Sequence, residues 1–446
     1  MRKILPLLLF VFLLSANLLA QKVVGYYYGS YSVYPPSVIQ FENLTHISHA
    51  FIRPNADGTL AVPSWYLLPE LITEAHKHGV KVLVALGGYD PTADANFRSL
   101  AASSAARKTF ASKLADFCKQ YGYDGADIDW EYPKGADAAN YVLMVTEIRQ
   151  AFNTAGIPLV SAALPSTDWN NGYDIAKLTP LLDWFGIMTY DIGGTWEKAV
   201  YHTSPLYPSP QASGSVDNSA RYYANKGMPK DKMLTGMAFY GYKYTAAGMY
   251  QSHTAGEGSS ITYVNAEALR NSTDWDYFWD NTAKVPYLQN KARTQVVSYD
   301  DTASIRLKCN YIKSSKLGGT IIWALHQSYN GRTSPLLNVI GDNLLKNTST
   351  GVDNKYAMTP KSFELKNYPN PFNPSTTVTY SVPEPGVIKI SVYDVLGRLV
   401  QDLVSQQKEP GEYKTTFDAS GLESGIYFCR LSSGRYVQIQ KMVLLR

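Results

Sequence analysis

Cysteine is scarce in this chain. Cys118, Cys309 and Cys429 are the only three in 446 residues, odd in number and far apart. That spacing excludes a disulfide framework and any CxxC metal pair, leaving buried free thiols. Charge is scarce too: Asp, Glu, Lys and Arg make up 17%, and the net charge of +4 is not gathered into a Lys/Arg-rich run. A nucleic-acid footprint and a disordered, charge-rich chain are therefore both excluded. Long apolar runs are missing after the first twenty residues, so no stable membrane span is expected. The start differs. Arg2 and Lys3 precede an apolar run from Ile4 to Leu14 and then Ser15-Ala16-Asn17-Leu18-Leu19-Ala20. A basic head, a short hydrophobic stretch and a small residue at the cut read as a secretory signal peptide over residues 1–20.

What the chain has in quantity is apolar and aromatic surface. Hydrophobic residues are 45% of the total, enough for a large core, and there are 34 tyrosines and eight tryptophans. Short runs rich in Val, Ile, Leu and Ala recur at Lys22–Tyr28, His46–Ile52, Val80–Leu86, Tyr123–Glu131, Pro158–Leu164, Trp184–Tyr190, Met233–Tyr240 and Gly319–Leu325. Helix-compatible stretches such as Pro69–His78, Ala105–Tyr121 and Ala138–Thr154 lie between them. Eight such strands, each followed by a crossover, predict a parallel sheet that closes into a (β/α)8 TIM barrel over residues 21–346. The segment Thr245–Asn290, rich in Gly, Ser, Tyr and Trp, reads as a loop region near the active face. Residues 347–361 are polar and aperiodic and read as a linker. Residues 362–446 then alternate short strands with Pro and Gly turns: Thr376–Val382, Val387–Asp394, Tyr413–Phe417, Gly425–Leu431 and Tyr436–Leu445. That spacing predicts a small all-β, immunoglobulin-like sandwich.

The segment with chemistry in it is Tyr123-Asp124-Gly125-Ala126-Asp127-Ile128-Asp129-Trp130-Glu131. On a strand, Asp127, Asp129 and Glu131 share one face, with Ala126, Ile128 and Trp130 on the other. Three carboxylates crowded there repel one another, and burying each charge is unfavourable. Sharing protons relieves this and raises at least one pKa, which is what a proton donor to a departing oxygen requires. The bland readings are a calcium loop, a solvated acidic turn or a helix cap. A calcium loop needs turn-forming Gly and more oxygen ligands, whereas Ile128 and Trp130 are bulky strand residues. A solvated turn would not be bracketed by Tyr and Trp.

Asp124–Glu131 resembles the D-G-x-D-x-D-x-E pattern of glycoside hydrolase family 18, the chitinases and their relatives. Further segments resemble that family in order: Val84-Ala85-Leu86-Gly87-Gly88, Met188-Thr189-Tyr190-Asp191, Phe239-Tyr240-Gly241, Ser298-Tyr299-Asp300-Asp301 and Gly318-Gly319-Thr320-Ile321-Ile322-Trp323. The resemblance covers roughly residues 22–345. It implies a retaining, substrate-assisted mechanism needing neither cofactor nor metal, an exception to the two-carboxylate scheme of most glycosidases. Glu131 would be the general acid and then base, and the substrate's own acetamido oxygen would attack to form an oxazolinium ion. Asp129 would meet the acetamido N–H with Asp127 behind it, Tyr190 would hold the acetamido carbonyl, and Trp323 would floor the sugar. Met188, Asp191, Tyr240 and Gly88 would bind substrate, and Tyr26 and Phe51, near the first two strand ends, would line the pocket. Three departures matter. Ala85 replaces the usual Ser, Tyr242 stands where many relatives have Arg, and Thr245–Asn290 looks too short for the α+β insertion of exo-acting relatives. The last predicts a shallow groove and endo-type cutting.

Chitin or chitooligosaccharides are the implied substrate. An endo-β-N-acetylglucosaminidase on N-glycan cores shares the same acetamido chemistry, and a non-catalytic lectin is the third reading, disfavoured by the presence of Glu131. His46/His49 and His76/His78 lack the accompanying Cys, Asp or Glu of a metal site. At the other end, Leu365-Lys366-Asn367-Tyr368-Pro369-Asn370-Pro371-Phe372-Asn373-Pro374 and the later Val392-Tyr393-Asp394, Gly397-Arg398 and Ser424-Gly425-Ile426-Tyr427 resemble the type IX secretion sorting domain. This implies a partner in the type IX machinery and a secreted or cell-surface destination. A carbohydrate-binding or spacer sandwich is the alternative.

Overall fold

A computed structural model describes residues 21–29, 31–212, 214–346, 363–382, 386–408, 411–434 and 436–445. The expected signal peptide (1–20) and linker (347–361) lie outside the described residues. The chain divides into two compact units, Met1–Asn347 and Thr348–Arg446.

In the first unit eight parallel strands form a closed ring: β1 Lys22–Tyr28, β2 His46–Pro54, β3 Lys81–Gly87, β4 Gly125–Asp129, β5 Leu159–Pro165, β6 Trp184–Met188, β7 Met233–Ala238 and β8 Gly319–Trp323. Consecutive strands are neighbours, and β1 pairs with both β2 (Val24↔His46) and β8 (Gly25↔Ile322), which closes the barrel. Alternation then sorts every strand. On β3, Leu83 and Ala85 face the barrel interior with Val24, Trp184 and Ile321, while Val82, Val84 and Leu86 face the helices with Ile47 and Ile128. Both faces are buried, so the strands read as continuous apolar runs. The helices are cut to length by their ends. Asp90 and Ser103 cap the N-termini of Pro91–Ala102 and Ser104–Tyr121, and Gly122 and Gly156 end two helices in the left-handed conformation.

The strand ends are shorter than the apolar runs. β4 stops at Asp129 and β6 at Met188, because pairing ceases at the barrel mouth. Glu131 and Tyr190 therefore sit on the loops just beyond their strands.

Thr245–Asn290 is not a loop region. Together with flanking residues it forms a five-stranded antiparallel sheet, in spatial order Ser259–Thr262, Tyr240–Thr245, Gln295–Ser298, Val285–Asn290 and Trp275–Asp280, with a helix at Tyr263–Arg270. The insertion exceeds the expected segment because its first strand in the chain begins at Tyr240 and its last ends at Ser298. Its aromatic residues are strand formers rather than loop residues: Phe278 and Tyr287 pair across strands with rings stacked at 5.1 Å. An α+β insertion is thus present, and the shallow groove expected from a short loop loses its basis.

Residues in the second unit form two antiparallel sheets. One holds Glu364–Tyr368, Ser375–Val382 and Gly411–Asp418, and the other Leu399–Lys408, Gly386–Tyr393, Gly425–Ser433 and Tyr436–Leu444. Phe372, Val378, Ile390, Phe417, Cys429 and Met442 are among the residues of its core. Glu364–Tyr368 and Leu399–Lys408 were not expected as strands. The latter is a sheet edge whose polar Gln401, Asp402, Ser405, Gln406 and Gln407 are exposed, so it lacks the apolar alternation of a covered strand. The Asn-Pro turns are pinned: Asn370 donates to the Lys441 carbonyl at 2.8 Å and accepts from the Val443 N–H at 2.9 Å.

Candidate active site

β4 delivers the acidic row. Its outward residues Ala126 and Ile128, and Trp130 beyond the strand end, pack in the strand–helix layer, and this fixes Asp127 and Asp129 inward. Two glycines allow the close approach from β3. A Cβ on Gly87 would lie 2.2 Å from the Asp129 carbonyl, and one on Gly88 would lie 2.7 Å from the Phe51 ring, with φ at +111° and +78°. The Gly88 N–H then donates to the Asp129 carbonyl at 2.9 Å. Glycine is required at both positions.

Asp127 lies deepest. Its carboxylate accepts from the hydroxyls of Tyr26 at 2.5 Å, Ser161 at 2.6 Å and Ser48 at 3.1 Å. Burial pushes this carboxyl up, and the three hydroxyls pull it back. Ala85, which lacks the usual hydroxyl, borders Asp127 on the β3 side, while Ser161 borders it on the β5 side. Asp127 therefore gains its donors from β1, β2 and β5. Asp129, 3% exposed, is different: its Oδ1 is buried without a hydrogen-bond partner. Burial, then the fields of Glu131 and Asp127, push it well above the usual carboxylate range. An orphaned buried acceptor is rare and marks a place for a ligand donor.

Glu131 is half-buried at the mouth. Desolvation raises its carboxyl to about 7; hydrogen bonding with Tyr132 opposes this and the Asp191 charge adds to it. A carboxylic acid with that value is protonated below neutrality and able to give its proton up near it.

A cavity of about 340 Å³ opens here, lined by Glu131, Asp129, Tyr190, Asp191, Met188, Tyr240, Trp323, Phe51 and Gly88 among others. All of these were singled out in the sequence. Asp127 and Tyr26, also singled out, sit beneath it. Trp323 ends β8, four strands around the ring from β4, and so faces Glu131 across the mouth. Its ring is braced by Phe51 (5.7 Å, 21° between planes) and Tyr26 (5.4 Å). Tyr190 is buried edge-on to Tyr240, and Gly236 makes room for its ring, since a Cβ there would lie 2.7 Å from it. The peptide bonds Ala50–Phe51, Glu131–Tyr132 and Trp323–Ala324 are cis.

Sequence reasoning missed several groups. Tyr132 beside Glu131, Ser48 and Ser161 on Asp127, and the lining residues Arg53, Trp65, Tyr89 and Trp169 belong to no segment that carried a motif. Trp65 and Trp169 are 49% and 57% exposed; bulky indoles in loops just past strand ends were the available signal. The histidines are otherwise engaged: His49 with Tyr31 and Tyr123, His76 with Asp124, and His46 with Thr45. Among the described residues no group of three His, Cys, Asp or Glu is placed to hold a metal ion. The three cysteines are free and buried.

Residues 22–328 match the family model of glycosyl hydrolases family 18, and residues 366–445 match that of the secretion system C-terminal sorting domain. A probable endochitinase of Caenorhabditis elegans is 36% identical over 347 residues, covering 67% of this chain and 55% of that protein. Chitinase A1 of Niallia circulans is 33% identical over 283 residues, covering 55% of this chain and 40% of that protein. The chain thus spans about half the length of these curated relatives. Among solved structures, the chitinase TsES1 of Trichuris suis superposes with a TM-score of 0.67 at 29% identity, over 73% of this chain and all of that one. Closed parallel barrel, acidic row and family match agree, and the chain belongs to glycosyl hydrolases family 18.

Proposed function

We propose that this protein is an exported chitinase that hydrolyses β-1,4 linkages between N-acetylglucosamine units, with retention and with the substrate's acetamido group as nucleophile. The observation that carries the reading is Asp129: a buried carboxyl held above the usual range, with an unpartnered Oδ1, next to Glu131 and open to the cavity. An amide N–H is the natural donor for that oxygen. Accepting it would turn the acetamido carbonyl oxygen toward the anomeric carbon and hold it in an attacking geometry. Glu131, protonated at or below neutral pH, would give its proton to the departing glycosidic oxygen. Its carboxylate would then take one from the water that opens the oxazolinium ion. Tyr190 would hydrogen-bond the acetamido carbonyl, and Trp323 would stack beneath the ring. Asp127, held by three hydroxyls, keeps negative charge behind Asp129 as the positive oxazolinium develops.

The relatives named above are chitinases, which supports a chitin-type substrate. Incubation with chitin oligomers and, separately, with a high-mannose glycoprotein tests this. Shortening of the oligomers with the glycoprotein left intact is expected; release of the glycan with untouched oligomers would place the activity on N-glycan cores. For export, the sorting-domain match and the residue pattern at 1–20 support passage to the periplasm and then through the type IX system to the surface or medium.

A further inference from the structure

Asp191 stands at the rim of the cavity in a left-handed conformation (φ 55°). It is a non-glycine residue in a sparsely populated region, held there by its surroundings. Two phenols converge on one of its oxygens: Tyr240 donates to Oδ1 at 2.6 Å and Tyr242 donates to the same atom at 2.9 Å. Tyr240 lines the cavity and Tyr242 does not. Tyr242 stands edge-on to Tyr240 at 5.8 Å and edge-on to Trp196 at 5.6 Å, so its ring is gripped between two others. Among the described residues no Lys, Arg or His forms an ion pair with Asp191. Its carboxylate is therefore stabilised by phenol hydrogen bonds rather than by a counter-charge.

We propose that Tyr242 is a positioning residue of the reaction: with Tyr240 it fixes the Asp191 carboxylate and its negative charge beside Glu131, and that charge helps keep the acid's proton on Glu131. The inference rests on the role given to Glu131 above. Phenol donors suit this task because they stabilise the anion without cancelling its field, as a cation would. The groups facing Asp191 are Tyr240, Tyr242 and Tyr244 from the strand Tyr240–Thr245, Tyr190 from its own loop, and Glu131 from the loop after β4. Those facing Glu131 are Asp129, Tyr132, Tyr190 and Asp191. The nearby cations are directed elsewhere: Lys243 lies over Trp275 and Arg53 pairs with Asp90. Crowding by the cavity wall pushes the Asp191 carboxyl up although the residue is exposed at the rim, and the two phenols pull it back. Removing one phenol disfavours the anion, so Asp191 takes up a proton more readily and its field on Glu131 weakens.

The test is the pH profile of kcat/KM on a soluble chitooligosaccharide at low ionic strength, where exposed charges are least screened. The protonated form of Glu131 is the active one, so wild-type activity declines as pH rises through its value of about 7. Tyr242→Phe, which deletes a single hydroxyl, is expected to move that alkaline limb to lower pH by roughly half a unit or more. In an Asp191→Asn background the same substitution should move the limb no further, because its effect runs through the Asp191 charge. An unmoved limb, or an equal shift in both backgrounds, would overturn the proposal. An inert wild type would instead overturn the hydrolase reading.

Discussion

Glu131→Gln is expected to lower kcat by about 10²–10⁴-fold, the range typical of a positioned general acid, while affinity for chitooligosaccharides stays within a few-fold. Glutamine keeps the shape of the side chain but carries no transferable proton. The surfaces that would hold the sugar are untouched: Trp323, braced by Phe51 and Tyr26, lies across the mouth, and Tyr190 and Tyr240 come from other elements. The loss therefore belongs in kcat. Affinity measured by titration on the inactive variant separates the two quantities. A variant retaining a tenth or more of wild-type turnover would mean that another group protonates the leaving oxygen.

Asp129→Asn is expected to lower kcat roughly 100-fold with a smaller change in KM, because it acts on orientation and on charge that develops during the reaction. Asp129 has neighbouring carboxyls on both sides in the row and one oxygen without a partner. Asparagine occupies the same space, yet it places a neutral amide where a carboxyl would face the acetamido N–H and the growing positive charge. It also removes a titrating site from the row, so the mutual repulsion of Asp129 with Glu131 and Asp127 is relieved. Steady-state kinetics on an oligomer of fixed length checks this. A rise in KM at unchanged kcat would reduce Asp129 to a ground-state contact.

The barrel was legible because each of its strands is buried on both sides. A run such as Val82-Leu83-Val84-Ala85-Leu86 has no other reading when helices flank it at a regular interval. The acidic row was legible for the opposite reason: alternation on β4 leaves carboxylates in a position that burial disfavours, and chemistry is the compensating gain. What escaped notice depends on distant pairing. Ser48 and Ser161 reach Asp127 from strands 79 and 34 residues away in the chain, and nothing local in either strand signals the contact. The absence of a hydroxyl at Ala85 was visible; the donors that Asp127 finds on β2 and β5 were not. Tyr242 joins Asp191 across 51 residues, and the insertion that carries Tyr242 was split in the reading between a barrel strand and a loop. Trp275-Asp276-Tyr277-Phe278-Trp279-Asp280 showed the cost of weighing composition over propensity. Its aromatics contributed to the reading of a loop near the active face, whereas they pair across a sheet.

The sorting unit repeats the lesson on a smaller scale. Its Asn-Pro turns were conspicuous; not visible was that Asn370 exchanges a pair of hydrogen bonds with the final strand, 71 and 73 residues on. The polar edge Leu399–Lys408 hid because an edge strand has one side with no partner to reward an apolar residue.

The most direct measurement is the anomeric configuration of the sugar first released from a chitin oligomer, read by proton NMR before mutarotation equalises the forms. The acetamido oxygen, oriented by Asp129, displaces the leaving group, and water activated at Glu131 then displaces that oxygen, two inversions at the same carbon, so the β-anomer should appear first. Initial α-anomer would mean that water attacks directly, and would leave the buried carboxyl beside Glu131 without the part assigned to it.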